Sequence, residues 1–179
     1  MNANSARRIL SINPGMEHLG IAVLQGEDLL WYGVKTFAGA NGISGVRLAV
    51  QQQLSTIIQK YEPQILVVEE PFYAQSLLSE NLVKLTREIK AWGKFKGLTV
   101  RSYTPPVVKA FFCRDQKTKQ SLAEAMIQKY PFLNRYFSYL PLRRRYWFHV
   151  FDAVGLGLMC ARKLNGEKAS PRMASVPFA

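Results

Sequence analysis

Arg8-Ile9-Leu10-Ser11-Ile12-Asn13-Pro14-Gly15-Met16-Glu17-His18-Leu19-Gly20-Ile21-Ala22-Val23 is the stretch on which the reading of the whole chain turns. An apolar run ends in Asn-Pro-Gly, and after a gap too short for a helix a Gly opens a second apolar run. The pattern predicts strand, tight turn, strand. Position 13 then stands where a buried strand opens onto solvent, a natural place for a metal ligand: the strand fixes the backbone and the turn leaves the side chain accessible. The residue is an amide where this geometry favours a carboxylate. Taken alone, Asn-Pro-Gly is ordinary turn chemistry, with Pro presetting its own backbone angle and Gly permitting a positive one.

Working outward, Gly20 to Leu24 and Leu29 to Phe37 read as two further strands joined by Gln25-Gly26-Glu27-Asp28, so the chain opens with three antiparallel strands. Ala38 to Ser44 reads as a loop. Apolar residues at Val46, Val50, Leu54, Ile57 and Ile58 predict a helix to about Lys60, closed by Glu62-Pro63. Ile65-Leu66-Val67-Val68 is an unbroken β-branched run that ends in Glu69-Glu70, as a central strand covered on both faces would. Ser76 to Lys96 is helical, with an apolar stripe and a basic side carrying Lys84, Arg87, Lys90, Lys94 and Lys96. Leu98 to Tyr103 reads as a short strand, Thr104-Pro105-Pro106 as a turn that can start a helix, and Ser121 to Tyr130 as a helix stopped by Pro131. Asn134 to Arg145 is irregular and rich in aromatics and Arg. A last helix runs from about Tyr146 to Leu164, ahead of a tail, 165–179, expected to be mobile.

The 179 residues suit one domain, placed at 1–164, with a sizeable core. Twenty-four Lys and Arg against twelve Asp and Glu give a net charge of +12, which favours a polyanionic partner, nucleic acid first. A membrane partner is not expected, because no apolar stretch reaches the length of a span. The N-terminus lacks the pattern of a secretory signal, so a cytoplasmic protein is the expectation. Cys113 and Cys160 are too few for a disulfide framework or a thiolate zinc site.

Asp152 lies in the apolar run Val150 to Leu158, so its helix packs on the core and its carboxylate needs a partner or a cation. His149 is three residues earlier, on the same helical face. A His-Asp pair satisfied by core hydrogen bonds is the bland alternative. With Asn13 and Glu69 at strand ends, however, oxygen ligands from two strands and one helix can converge on Mg²⁺ or Mn²⁺. A cluster of that type suits phosphodiester hydrolysis by two ions. Glu70, adjacent to Glu69, should point to the other sheet face, leaving Glu69 as the ligand.

The order of elements resembles the RNase H-like fold, an α/β architecture in which a mixed sheet of three antiparallel and then parallel strands is flanked by helices. The motifs resemble those of the RuvC family of Holliday-junction resolvases. The family's strand ending in Asp-Pro-Gly, with Gly five residues later, stands here as Asn13-Pro14-Gly15 through Gly20. Its Glu-x-x-Phe stands as Glu69 to Phe72, its Val-Lys as Val108-Lys109, the basic residue opening the next helix as Lys119, and its closing motif as His149-Val150-Phe151-Asp152-Ala153. The resemblance implies a homodimeric endonuclease that resolves four-way junction DNA, with two Mg²⁺ or Mn²⁺ ions per site. It makes Asn13, Glu69, His149 and Asp152 the catalytic and metal-binding set, and the helix from Ser76 to Trp92 the dimer element. Phe72 takes the position that probes unpaired bases, and Lys109 and Lys119 those that hold phosphates. Tyr73, beside Phe72, is a candidate DNA contact from its aromatic character, as are Tyr146 and Trp147.

Asn13 departs from the family's first Asp. An amide cannot bridge two cations as a carboxylate does, so cleavage is expected to fall by orders of magnitude while folding and junction binding survive. A deliberate Asp-to-Asn change that traps uncut substrate is favoured over a natural variant that binds without cutting, because every other site position looks intact. The rival functions are a junction- or RNA-binding protein that never cleaves, and an RNase H-like RNA-processing nuclease.

Overall fold

The computed structural model describes residues 6–37, 42–72, 77–113, 115–138 and 144–169. Among these residues, five strands form one sheet in the order β3-β2-β1-β4-β5. The hairpin-linked β1 (Arg8–Asn13), β2 (His18–Gln25) and β3 (Asp28–Thr36) are antiparallel, while β4 (Ile65–Glu69) and β5 (Thr99–Tyr103) run parallel to β1. Each parallel strand is reached through a helix, α1 (Gly42–Tyr61) before β4 and α2 (Leu77–Phe95) before β5. Then follow α3 (Pro105–Phe112), α4 (Lys119–Lys129), a 3₁₀ turn at Pro131–Leu133, α5 (Asn134–Ser138) and the long α6 (Arg144–Ala169).

The two-residue period of the strands divides the core. Leu10, Ile12, Leu66 and Val68 face α1 and α2 with Val50, Leu54, Leu85 and Ile89. Ile9, Ile65 and Val67 face α6, α3 and α4 with Val108, Leu122, Val154 and Leu158. Continuing this alternation sends Asn13 and Glu69 to the α6 side, and the pairing of Ile12 with Val68 sets the two side by side at the end of the sheet.

Small residues let α6 lie directly on the strands. A Cβ on Gly20 would sit 1.9 Å from the His149 carbonyl oxygen, and one on Gly157 would sit 2.4 Å from Leu24 and 3.1 Å from Ser11. Ser11 Oγ donates to the Ala153 carbonyl at 2.7 Å, which fixes the helix lengthwise as well. This close seat carries His149 and Asp152 over the ends of β1 and β4.

Several boundaries differ from the sequence reading. β2 begins at His18 rather than Gly20, because pairing with Thr36 extends the hairpin past the turn. α1 begins at Gly42, inside the expected loop, and Asn134–Ser138 is helical. α4 starts at Lys119, two residues before the apolar pattern, because Thr118 caps it through the Ser121 amide. α6 continues to Ala169, past the expected end at Leu164.

Candidate active site

Four residues from three elements meet at the C-terminal ends of β1 and β4. Asn13 Nδ2 donates to Glu69 Oε1 at 2.5 Å, and Asn13 Oδ1 lies 2.5 Å from His149 Nδ1. The amide oxygen can only accept, so His149 carries its proton on Nδ1 and leaves Nε2 with a lone pair. Lys119 Nζ reaches Asp152 Oδ2 at 3.0 Å from the first turn of α4. Asn13 and Asp152 form the floor, 4% and 2% exposed, whereas half of the Lys119 side chain faces solvent. The site is therefore anchored in the core and open at its rim.

Burial dominates the electrostatics. It pushes the Glu69 carboxyl up to about 8, with the Asp152 charge as the second cause, against the lowering effects of Lys119, Lys109 and the Asn13 amide. Asp152 is likewise raised by burial, opposed by Lys119 and then Lys109. His149 is pushed down to about 4 by burial, with Lys119 and His18 adding to the effect, so the ring is neutral at ordinary pH. Two buried carboxyls that oppose each other's ionisation, with Lys119 in contact with Asp152, make a place where added positive charge is favourable.

The geometry gathers Asn13, Glu69, His149, Asp152 and Lys119, and Lys109 is near enough to act on both carboxyls. Glu70 turns to the other face, where Lys90 of α2 pairs with it and Ser102 hydrogen-bonds it. Phe72 stands exposed just beyond β4. Tyr73 lies outside the described residues. One neighbour escaped the sequence reading: His18, whose ring meets His149 edge-on at 5.7 Å and Tyr146 at 5.2 Å. Recognising that β2 begins at His18 would have placed it there.

A divalent ion suits this donor set in part. Glu69, Asp152 and the His149 imidazole supply oxygen and nitrogen donors, and the mutual opposition of the carboxyls is what a cation would relieve. Among the described residues, however, no three His, Cys, Asp or Glu side chains are gathered as a ready-made metal set. Asn13 stands in the middle and turns its NH₂ towards Glu69, where a carboxylate would offer a third anionic ligand.

No protein-family model matches the chain. RuvC of Akkermansia muciniphila, a crossover junction endodeoxyribonuclease, is 32% identical over 109 residues. The chain is similar to that protein over less than two thirds of its length. The matched region spans 57% of this chain and 64% of the Akkermansia protein. RuvC of Thermus thermophilus, solved in complex with a Holliday-junction substrate, superimposes with a TM-score of 0.69 at 19% identity, covering 89% of this chain and 96% of that one. The yeast mitochondrial Holliday-junction resolvase Ydc2 gives 0.62 at 12% identity over 92% and 83% of the two chains. The RuvC-type, RNase H-like sheet implied by the order of elements is thus the fold of this molecule. Its described helices include none long and apolar enough to cross a membrane.

Proposed function

We propose that this chain is a structure-selective endonuclease for four-way DNA junctions, acting as a homodimer, in which Asn13 suppresses cleavage. The observation that carries the reading is the convergence of Glu69 and Asp152, from β4 and α6, in one partly open site on a RuvC-type sheet. The net charge of +12 suits a polyanion, and the two-fold symmetry of a dimer matches that of a four-way junction.

Glu69 and Asp152, with His149 beside them, would hold Mg²⁺ or Mn²⁺, and Asn13 provides no anionic bridge for a second ion. When bound, the ion would lower the pKa of the attacking water and stabilise the leaving oxygen. Lys119 and Lys109 offset the carboxyl charge and present ammonium groups to the scissile phosphate. Neutral His149 keeps a proton acceptor at Nε2 for the nucleophilic water, held in that tautomer by Asn13 Oδ1. Phe72, exposed just beyond β4, would meet unpaired bases.

The Asn13 network favours a second reading. Its amide satisfies Glu69 with one end and His149 with the other, as a settled structural bridge would, which fits a protein that binds junctions and never cuts. Incubating the Asn13→Asp protein with an end-labelled junction and Mg²⁺ separates the readings. Paired nicks near the crossover support the nuclease, and an uncut junction that remains bound supports the binding protein. Competition by folded RNA at one fixed ionic strength identifies an RNA-processing role if the RNA displaces the junction.

A further inference from the structure

A ribbon of aromatic rings leads away from the site along the outer edge of the sheet. His18, already against His149, meets Tyr146 at 5.2 Å, and Tyr146 meets Trp147 at 5.0 Å. Trp147 packs on Tyr136 at 4.1 Å, Tyr136 meets Tyr32 at 5.6 Å, and Tyr32 stacks on Phe132 at 6.0 Å with the planes 28° apart. The ribbon follows β3: Tyr146 Oη donates to the Val34 carbonyl, His18 pairs with Thr36, and Tyr32 and Tyr136 join hydroxyls at 3.1 Å. From Tyr32 to Thr36 the strand alone covers about 14 Å.

These rings are neither a sealed core nor a scatter of surface residues. Tyr32, Tyr136 and Trp147 pack one face on the α6 core and remain partly accessible, and Phe132 is 42% exposed. A core in contact on one side holds the rings rigid, so binding against the other side costs little side-chain entropy. The Arg135 guanidinium lies 5.8 Å over the Tyr136 ring. Rigid aromatic faces beside a guanidinium are the chemistry that receives unpaired nucleobases and their phosphates.

We infer that the ribbon from His18 to Phe132 is a stacking track for a single-stranded nucleic-acid segment leading out of the cleavage site. The inference rests on the nucleic-acid reading of that site and adds a substrate feature, a junction or branch carrying an unpaired tail. Continuity with the site selects this occupant: a strand held at Glu69 and Asp152 meets the first ring of the track at His149 and His18.

The test compares three labelled four-way junctions at one ionic strength: blunt, carrying an oligothymidylate tail at one crossover strand, and carrying an abasic tail of equal length and charge. Stacking predicts that the thymidine tail tightens binding about ten-fold over the blunt form, while the abasic tail gives little of that gain. Phe132→Ala should remove most of the gain and Phe132→Tyr restore it, with blunt-junction affinity unchanged. Equal gains from thymidine and abasic tails, or none from either, overturn the track, and both comparisons use the unaltered protein. If no junction binds but oligothymidylate alone is captured in a Phe132-sensitive way, the track stands and the junction reading falls.

Discussion

Replacing Glu69 by Gln should stabilise the metal-free protein at alkaline pH. Glu69 has a folded pKa of about 8 because burial and the Asp152 charge both oppose its ionisation. An acid whose folded pKa lies above its unfolded value binds more protons in the folded state between the two. Its contribution to stability is therefore complete below about 4.5 and is lost as pH rises through about 8. At about 1.4 kcal/mol per pH unit, ionising Glu69 at pH 8 costs the fold on the order of 4 kcal/mol. That figure is an upper bound, because the side chain keeps some contact with solvent. Gln retains the Oε1 that accepts from Asn13 and cannot ionise, so the fold keeps its hydrogen bond and loses the penalty. Urea unfolding with a chelator present should show Glu69→Gln more stable than the parent by about 2–4 kcal/mol at pH 8 and equal to it near pH 4.5. A variant no more stable at pH 8 would refute the claim that this carboxyl is held against its charge.

Three further outcomes follow from the same geometry. Nuclear magnetic resonance should find the His149 ring neutral down to about pH 4, with the stability it contributes complete above 6.5 and declining as pH falls towards 4; a midpoint near 6.5 would contradict its burial. Gly20→Ala should destabilise by about 3 kcal/mol or more, seen as a lower urea midpoint, because the new methyl meets the His149 backbone rather than a movable side chain; a cost under about 1 kcal/mol would mean that α6 is not seated as described. Lys119→Met should cost about 1–2 kcal/mol at pH 7, less than a fully buried pair because the lysine is half exposed, and the loss should vanish at a pH low enough to protonate Asp152. A loss that persists when Asp152 is neutral would assign it to packing instead of charge.

Much of this site was legible in the chain because strand alternation is rigid. Once Ile65-Leu66-Val67-Val68 is read as a buried strand, Glu69 and Glu70 must take opposite faces, and Glu70 is found against Lys90 and Ser102; that Asn13 shares the face of Glu69 comes from the pairing of Ile12 with Val68. The apolar surroundings of Asp152 likewise required a partner, and the structure supplies Lys119. What stayed hidden depends on contacts between distant segments. His18 has the sequence surroundings of a turn, since only its pairing with Thr36 makes it strand. The ordering of Tyr146, Trp147, Tyr136 and Tyr32 arises from α5 and α6 folding back on the edge of the sheet, and no local pattern encodes it. The start of α1 was missed because Gly42 and Gly45 weaken the helical signal.

The measurement that bears most directly on the account is calorimetric titration of Mn²⁺ at pH 8 into the parent chain, Asn13→Asp, and Glu69→Gln and Asp152→Asn in the Asn13→Asp background. If oxygen donors from β1, β4 and α6 form one cation site, restoring the carboxylate at position 13 tightens binding at least ten-fold, and removing either acidic partner abolishes the gain. Equal Mn²⁺ affinity across all four proteins would show that these side chains meet for structural reasons and hold no ion.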